Sequence, residues 1–260
     1  MNHSSHAQFV AYYAKQSQSP ENVQRSRTIC SKILKLLEER DGRGRKYDVL
    51  DVGCNAGTQS RVWAELGHHV HGLDINEALL DLARERTRTA GYEIDFRLGS
   101  AVDLPWPDRS MDVCIAPELL EHVPDWRACL DEFTRVLRPG GILYFNTTNV
   151  LCPVQEEFNL FGYSWYPAPL KRYFERLAVT TRPVLANYSV YPAVNWFTPY
   201  GLRKELARRG FATLDRFDLV DLSQKGKLSR FVLASVQALP PLRLLAFVCT
   251  PGTTLFGRKK

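Results

Sequence analysis

Asp51, Gly53, Asn55 and Gly57 recur at every second position in VLDVGCNAG, between the apolar run YDVLDVG and the helix-like stretch TQSRVWAELG. A strand that feeds straight into a helix leaves unpaired amides at the helix N-terminus, and these suit polar or anionic ligand groups. Glycines there let a ligand approach the backbone closely. The dinucleotide pattern G-x-G-x-x-G fails, because Asn55 and Thr58 stand where its second and third glycines belong, and no Gly-Lys-Ser/Thr follows to make a P-loop. An acid near the strand end suits a ligand with an amino group rather than a pyrophosphate. Asparagine tolerates a left-handed backbone, so Asn55 can hold the turn and its side chain can reach a ligand. A second acid, Asp74, closes HVHGLDI at a place where a carboxylate can accept two ribose hydroxyls. A third cluster, ELLEH, carries Glu118, Glu121 and His122 directly after the apolar run MDVCIAP.

The elements that must position these residues alternate. YDVLDVG, HVHGLDI, IDFRLGS, MDVCIAP and ILYFNTT read as strands, separated by the helices TQSRVWAELG, NEALLDLARERTRTAG and DWRACLDEFTRVLRPGG. Asn76 is a plausible N-cap for the second of these, and Gly67 and Gly91 are stop signals. Strands alternating with helices imply a parallel sheet covered on both faces. Residues 20–40 read as an amphipathic helix and DGRGRK as a linker. Further on, FTPYGLRKELARRGF predicts a helix capped by Thr198 and stopped at Gly210. FATLDRFDLV then reads as a sixth strand and TTLFGRK as the closing one.

These constellations and the stretches around them arrive in an order that resembles the class I S-adenosylmethionine-dependent methyltransferases. VLDVGCNAG is similar to their first motif, D/E-x-G-x-G-x-G, with Asn55 at the middle glycine. RLGSAVDLPWPDRSMDVC resembles their adenine stretch, G-D-A-x-x-L-P-F-x-D, with Ser100 in place of the usual acid. CIAPELLEHVPD resembles the segment that lines the methionine end, and LRPGGILYF their fifth strand with its preceding turn. The likeness spans about residues 48 to 147. It implies an α/β, doubly wound, Rossmann-like sheet of seven strands, mostly parallel with the last strand antiparallel, and helices on both faces. It also implies that S-adenosyl-L-methionine is held by Asp51, Gly53, Cys54, Asn55, Gly57, Asp74, Ile75, Gly99, Ser100, Ala101 and Pro117.

Methyl transfer from a sulfonium is an in-line displacement: the cofactor supplies the electrophile, while the protein aligns the acceptor and removes its proton. His122 is the candidate base, because an imidazole titrates near neutral pH; otherwise it holds backbone. ELLEHVPD is closest to E-x-L-E-H-V-x-D of the ubiquinone-type quinol O-methyltransferases, which GLDINEALLDLAR also resembles. That resemblance implies a divalent cation at Glu118, Glu121 and His122. His69 and His71 share a strand face but have no third ligand in view. The expected activity is O-methylation of a phenol, quinol or sugar hydroxyl on a small-molecule acceptor. The alternatives are an N- or C-methyltransferase and a non-catalytic cofactor-binding relative.

The remainder bears on the acceptor and the setting. At 260 residues, 45% apolar and 24% charged, the chain has the composition of a single soluble domain. We divide it into a helical cap (1–47), a cofactor core (48–149), a lid (150–197) and an apolar insertion (222–251). The lid holds five tyrosines, four phenylalanines and two tryptophans. Tyr163, Trp165, Tyr166, Tyr173, Tyr188, Tyr191 and Trp196 are expected to wall the acceptor, with Lys171, Arg172, Arg176 and Arg182 facing a carboxylate or phosphate. From Gly201 onward Lys and Arg number 12 against 4 acids. The insertion LSRFVLASVQALPPLRLLAFV, flanked by Lys225, Lys227, Arg230 and Arg243, is expected either to pack on protein or to make peripheral contact with an anionic membrane. No nucleic-acid-binding module is recognisable. Six scattered cysteines without a C-x-x-C pair, and no signal peptide, point to the cytoplasm, with membrane association as the variant.

Overall fold

The computed structural model describes residues 14–155, 157–186, 193–222 and 225–260. Helix α1 (Pro20–Asp41) is followed by β1 (Asp48–Val52), α2 (Thr58–Glu65), β2 (His69–Asp74), α3 (Glu77–Thr89) and β3 (Asp95–Leu98). Next come β4 (Met111–Pro117), α4 (Trp126–Val136), β5 (Leu137–Thr148), α5 (Ala168–Thr180), α6 (Pro199–Arg208) and β6 (Phe211–Asp215). The chain then forms α7 (Lys227–Ala238), α8 (Pro240–Val248) and β7 (Gly252–Lys259).

The strands form one sheet in the order β3-β2-β1-β4-β5-β7-β6. β1 to β5 are parallel, and β7 runs antiparallel between β5 and β6. The expected seven-stranded, doubly wound α/β fold is therefore the one observed. The order reverses where β1 pairs with both β2 and β4, and a ligand crevice opens beyond the carboxyl ends of strands at such a point.

Successive strand residues point to opposite faces. Val49, Val113, Ile115, Ile142 and Tyr144 join α1 and α2 in one core layer, where Ile33, Leu37 and Trp63 are buried. Leu50, Cys114, Leu143 and Phe145 join α4 and α6 in the other, around Leu130, Phe133 and Leu206. Each such large side chain, fully buried, contributes on the order of 2–3 kcal/mol. The helices start where capping chemistry allows. Ser19, Asn76, Asp125 and Thr198 each accept an amide of the first turn of α1, α3, α4 and α6.

Two expected elements differ. The sixth strand ends at Asp215 rather than near residue 220, because Asp215 and Asp218 turn the chain: the Asp215 amide donates to Asp218 and the Phe217 amide to Asp215. The helix before strand five stops at Val136, and Leu137 already pairs with Met111, so β5 includes the PGG segment. All six cysteines are free, as expected.

Candidate active site

The loop after β1 is built on alternate left-handed residues. Gly53, Asn55 and Gly57 have φ of 74°, 48° and 76°, so Asn55 adopts the conformation that asparagine tolerates. Its side chain donates to the Gly53 carbonyl at 3.0 Å and stiffens the turn instead of extending outward. Gly57 has no room for a side chain: an added Cβ would lie 3.0 Å from that of Ala83. The loop is also tied to β2, since the Gly53 and Cys54 amides donate to the Leu73 carbonyl at 2.7 and 3.1 Å.

Two buried acids flank the loop. Asp51 is 1% exposed; Ser60 donates to its Oδ2 at 2.6 Å, while Oδ1 is buried without a partner. Burial pushes its carboxyl up to about 7, partly offset by Ser60, with the Asp74 charge adding to the rise. An orphaned carboxylate oxygen beneath a glycine cradle fits a cationic ammonium. Asp74 accepts the Asn55 amide on Oδ2 at 2.8 Å and the Asn76 amide on Oδ1 at 2.9 Å. Each oxygen keeps a lone pair for a hydroxyl. Burial raises the Asp74 carboxyl, and the amides of Asn55, Asn76 and Ile75 restrain the rise.

Beyond Asp74, the half-exposed Ile75, Leu98 and Val102 offer apolar surface beside the expected adenine stretch. Leu98 is the register partner of Asp74. The loop after β3 is clamped from α4: Arg135 donates to the Leu104 and Trp106 carbonyls at 2.9 and 2.8 Å, and Glu132 accepts the Leu104 amide at 2.7 Å. Ser100 is exposed there. Two expected contacts change character. Cys54 is buried against Leu80, Ala83 and Phe96, and Ala101 is buried in the main core, so a ligand would meet their backbones rather than their side chains.

The ELLEH segment joins this loop to a second space. Leu119 lies 3.2 Å from where a Cβ on Gly53 would stand. Past it, a cavity of about 310 Å³ opens beyond the ends of β4 and β5. Glu118, Glu121, Asn146, Thr147, Gln155 and Glu157 line it, with Arg25 from α1 and Arg216 from the turn after β6 at its mouth. Glu121 is 1% exposed and accepts Thr147 Oγ1 at 2.9 Å. Burial, then the nearby Glu157 and Glu118 charges, push its carboxyl well up. The Gln155 amide oxygen is buried without a partner.

Here the expected metal set needs correction. Glu121 and His122 gather with Glu157 of the lid, their ligand atoms within 4.8 Å of one another, and His122 Nε2 stands 3.6 Å from Glu157. Glu118 is directed elsewhere: from a left-handed backbone at φ 52°, its carboxylate pairs with Arg25 and accepts Asn146 Nδ2 at 3.2 Å. Pro117 ends β4 beside it, half-buried.

The expected aromatic wall is corrected as well. Tyr163 is buried and stacks on Phe158 with centroids 3.9 Å apart, and Tyr166, Phe174 and Trp196 pack around them. The lid therefore carries its own small core. Lys171 caps that core, donating to the Ser164 carbonyl at 2.8 Å over the Tyr163 and Trp196 rings. Trp165 and Tyr173 are exposed, as are Arg172, Arg176 and Arg182, whereas Tyr188 and Tyr191 lie outside the described residues. His69 and His71 pair with Asp48 and Asp95 at 3.4 and 3.2 Å.

Residues 50–145, which include the left-handed loop and both buried acids, match the family model described as a methyltransferase domain. This segment is similar to a methyltransferase domain. The chain is 35% identical over 134 residues to malonyl-[acyl-carrier protein] O-methyltransferase of Yersinia pestis, covering 52% of this chain and 46% of that protein. It is 40% identical over 117 residues to ubiquinone biosynthesis O-methyltransferase of Hahella chejuensis, covering 45% and 49%. The chain thus spans less than half the length of either relative. Among solved structures, an S-adenosylmethionine-dependent methyltransferase from Mesorhizobium loti shares the fold with a TM-score of 0.56 at 21% identity, over 87% of this chain and 96% of that one. The family match ends at residue 145, before the lid, so the acidic cavity is bounded partly by residues outside the match.

Arg25, Asn146, Thr147, Glu157 and Arg216 were not anticipated as site residues. Asn146 to Thr148 had a signal, since NTT ends an otherwise apolar strand. The two arginines and Glu157 had none, because they reach the cavity from α1, the turn after β6 and the lid.

Proposed function

We propose that the chain is an S-adenosylmethionine-dependent methyltransferase that methylates a hydroxyl of a small-molecule acceptor, a phenol or quinol before a sugar. The observation that carries this reading is the contact of Leu119 with the Gly53 turn. It sets a cradle suited to an amino-acid nucleoside against the ELLEH segment, whose Glu118 and Glu121 line the acidic cavity and whose His122 stands beside Glu157 of its wall. The left-handed loop, the orphaned Asp51 oxygen and the spare lone pairs of Asp74 fit the cofactor, which supplies the methyl group when bound. The relatives from Yersinia and Hahella are both named O-methyltransferases.

At the Glu157 wall of the chamber, His122 accepts the acceptor's hydroxyl proton and Glu157 stabilises the resulting imidazolium. The orphaned Gln155 oxygen supports an acceptor that carries a second hydroxyl donor. A second cavity of about 610 Å³ shares Arg25, Tyr144, Arg216 and Thr254 with the first. Its lining adds Ile29, Val220 and Phe256, so it suits an apolar substituent on the same acceptor.

The finer part of the proposal is a divalent cation, Mg²⁺ or Zn²⁺, at Glu121, His122 and Glu157, which would lower the hydroxyl's pKa in place of proton transfer to His122. The fit rests on the convergence of the Glu121 and Glu157 carboxylates with His122, and a cation there would offset the burial and the neighbouring carboxylate charges that raise the Glu121 carboxyl. Incubation with the cofactor and a panel of catechols, quinols, sugars and amines, read by release of S-adenosylhomocysteine, tests the reaction. Turnover with phenolic hydroxyls supports it, and methylation of amines alone would replace it. Dialysis against a chelator, then return of Mg²⁺ or Zn²⁺, tests the cation separately. A rate untouched by the chelator removes the ion and leaves His122 as the base.

A further inference from the structure

We propose that α7 and α8 form a docking surface for an anionic phospholipid bilayer, which holds the mouth of the acidic cavity at the membrane. Among the described residues of α7 none is buried. Leu228, Phe231 and Val232 recur at positions 0, 3 and 4 of α7, so they share one helix face, and the exposed Leu239 follows at the bend into α8. Leu228 and Phe231 are 76% and 71% exposed, whereas large apolar side chains ordinarily leave water. Leu242, Leu244 and Leu245 continue the exposed apolar surface along α8.

Charge selects the occupant. Residues 222–251 contain no acid at all. Lys227 and Arg230 each precede an exposed apolar residue of α7 by one position, which puts them on the shoulder of its apolar face. Lys225 stands just before the helix and is exposed. Arg243 is excluded from this set, because it is held by Asp215 and Asp218 at 2.7 and 2.6 Å. An apolar stripe with a basic border and no acid matches an anionic lipid surface better than a second copy of the same basic patch, which would repel itself.

The geometry is that of a surface helix pair. No single helix among the described residues is long and apolar enough to cross a membrane; α7 and α8 pass such a test only together, and they are bent by 107°. The pair is anchored to the domain by Phe247, which is buried against Tyr200 and Phe217. Asn149, at the end of the cofactor core, donates to the Phe247 and Thr250 carbonyls at 2.8 and 2.7 Å. Pro251 and Gly252, directly after α8, line the acidic cavity. A bilayer under α7 and α8 therefore lies beside that cavity, where an acceptor with an apolar substituent would partition.

The test is sedimentation of the full chain with phosphatidylcholine vesicles containing about 30% phosphatidylserine, against pure phosphatidylcholine. The expected result is binding to the anionic vesicles that weakens as salt is raised. Charge reversal of Lys225, Lys227 and Arg230 to Glu should lower partitioning by at least about fivefold per residue. Phe231→Ser with Leu228→Ser should lower it with little change in the salt dependence. Both variants change only exposed side chains, and unchanged binding of S-adenosylhomocysteine shows that they fold. Equal binding to both vesicle types, or none to either, overturns the proposal. So does a concentration-dependent dimer in solution that the Phe231→Ser, Leu228→Ser variant dissolves, since the face would then belong to a second copy. None of these readouts uses turnover, so the surface can fail while the methyltransferase reading stands.

Discussion

The glycine loop and the acidic cavity lie side by side but are made in different ways. The loop is a local object: residues 51–57 and Asp74 form it with backbone amides, left-handed turns and two carboxylates from neighbouring strands. The cavity is assembled from afar, with Arg25 of α1, Glu121 after β4, Thr147 of β5, Glu157 of the lid and Arg216 after β6 meeting in one space. A contiguous backbone device tolerates changes that keep its dihedrals. A convergent side-chain device depends on the identity of each group.

The contrast orders the expected effects of substitution. His122→Ala, in the convergent part, should lower the rate by about 10²–10⁴-fold with cofactor affinity nearly unchanged; an unimpaired rate returns His122 to a structural role. Asp74→Ala should weaken cofactor binding by about 100-fold or more, since two charge-assisted hydrogen bonds are lost at about 1.5–3 kcal/mol each. Unchanged calorimetric affinity would remove the ribose assignment.

Asp51 should govern pH dependence. Its carboxyl, at about 7 rather than the ordinary 3.8, keeps a proton in the folded chain that the unfolded chain releases. Stability contributed by this group therefore falls as pH rises between those values and levels off above 7. Binding of an ammonium ligand has the opposite sign. Below pH 7 the proton must leave first, so affinity should drop by about tenfold per pH unit, and Asp51→Asn should flatten that slope. A wild-type slope of zero places the ammonium elsewhere. Smallest of all, Asn55→Gly should leave affinity within about twofold, because glycine takes the same left-handed turn. A larger loss would show that the Asn55 side chain does more than bond the Gly53 carbonyl.

The same contrast explains what could be read in advance. Asp51, Gly53, Gly57 and Asp74 were legible because backbone geometry fixes both their types and their spacing. The parallel strands were legible for the same reason, as continuous apolar runs between capped helices. Glu157 and Arg216 were not, since nothing near them in sequence marks the cavity they reach. The lid misled because aromatic residues near a site serve equally as lining or as core. Phe158 and Tyr163 had sufficient partners within the lid to bury each other. Glu118 misled by proximity: its place in ELLEH suggested a shared ligand set, but its left-handed backbone and Arg25 direct it away.

The central claim is that the cradle between Asp51 and Asp74 receives S-adenosylmethionine. Titration calorimetry of the full chain with S-adenosylhomocysteine, beside the Asp74→Ala variant, tests it most directly. Micromolar, one-to-one binding that the substitution abolishes is the predicted result. No heat from the wild-type chain, or equal binding by both, would contradict it.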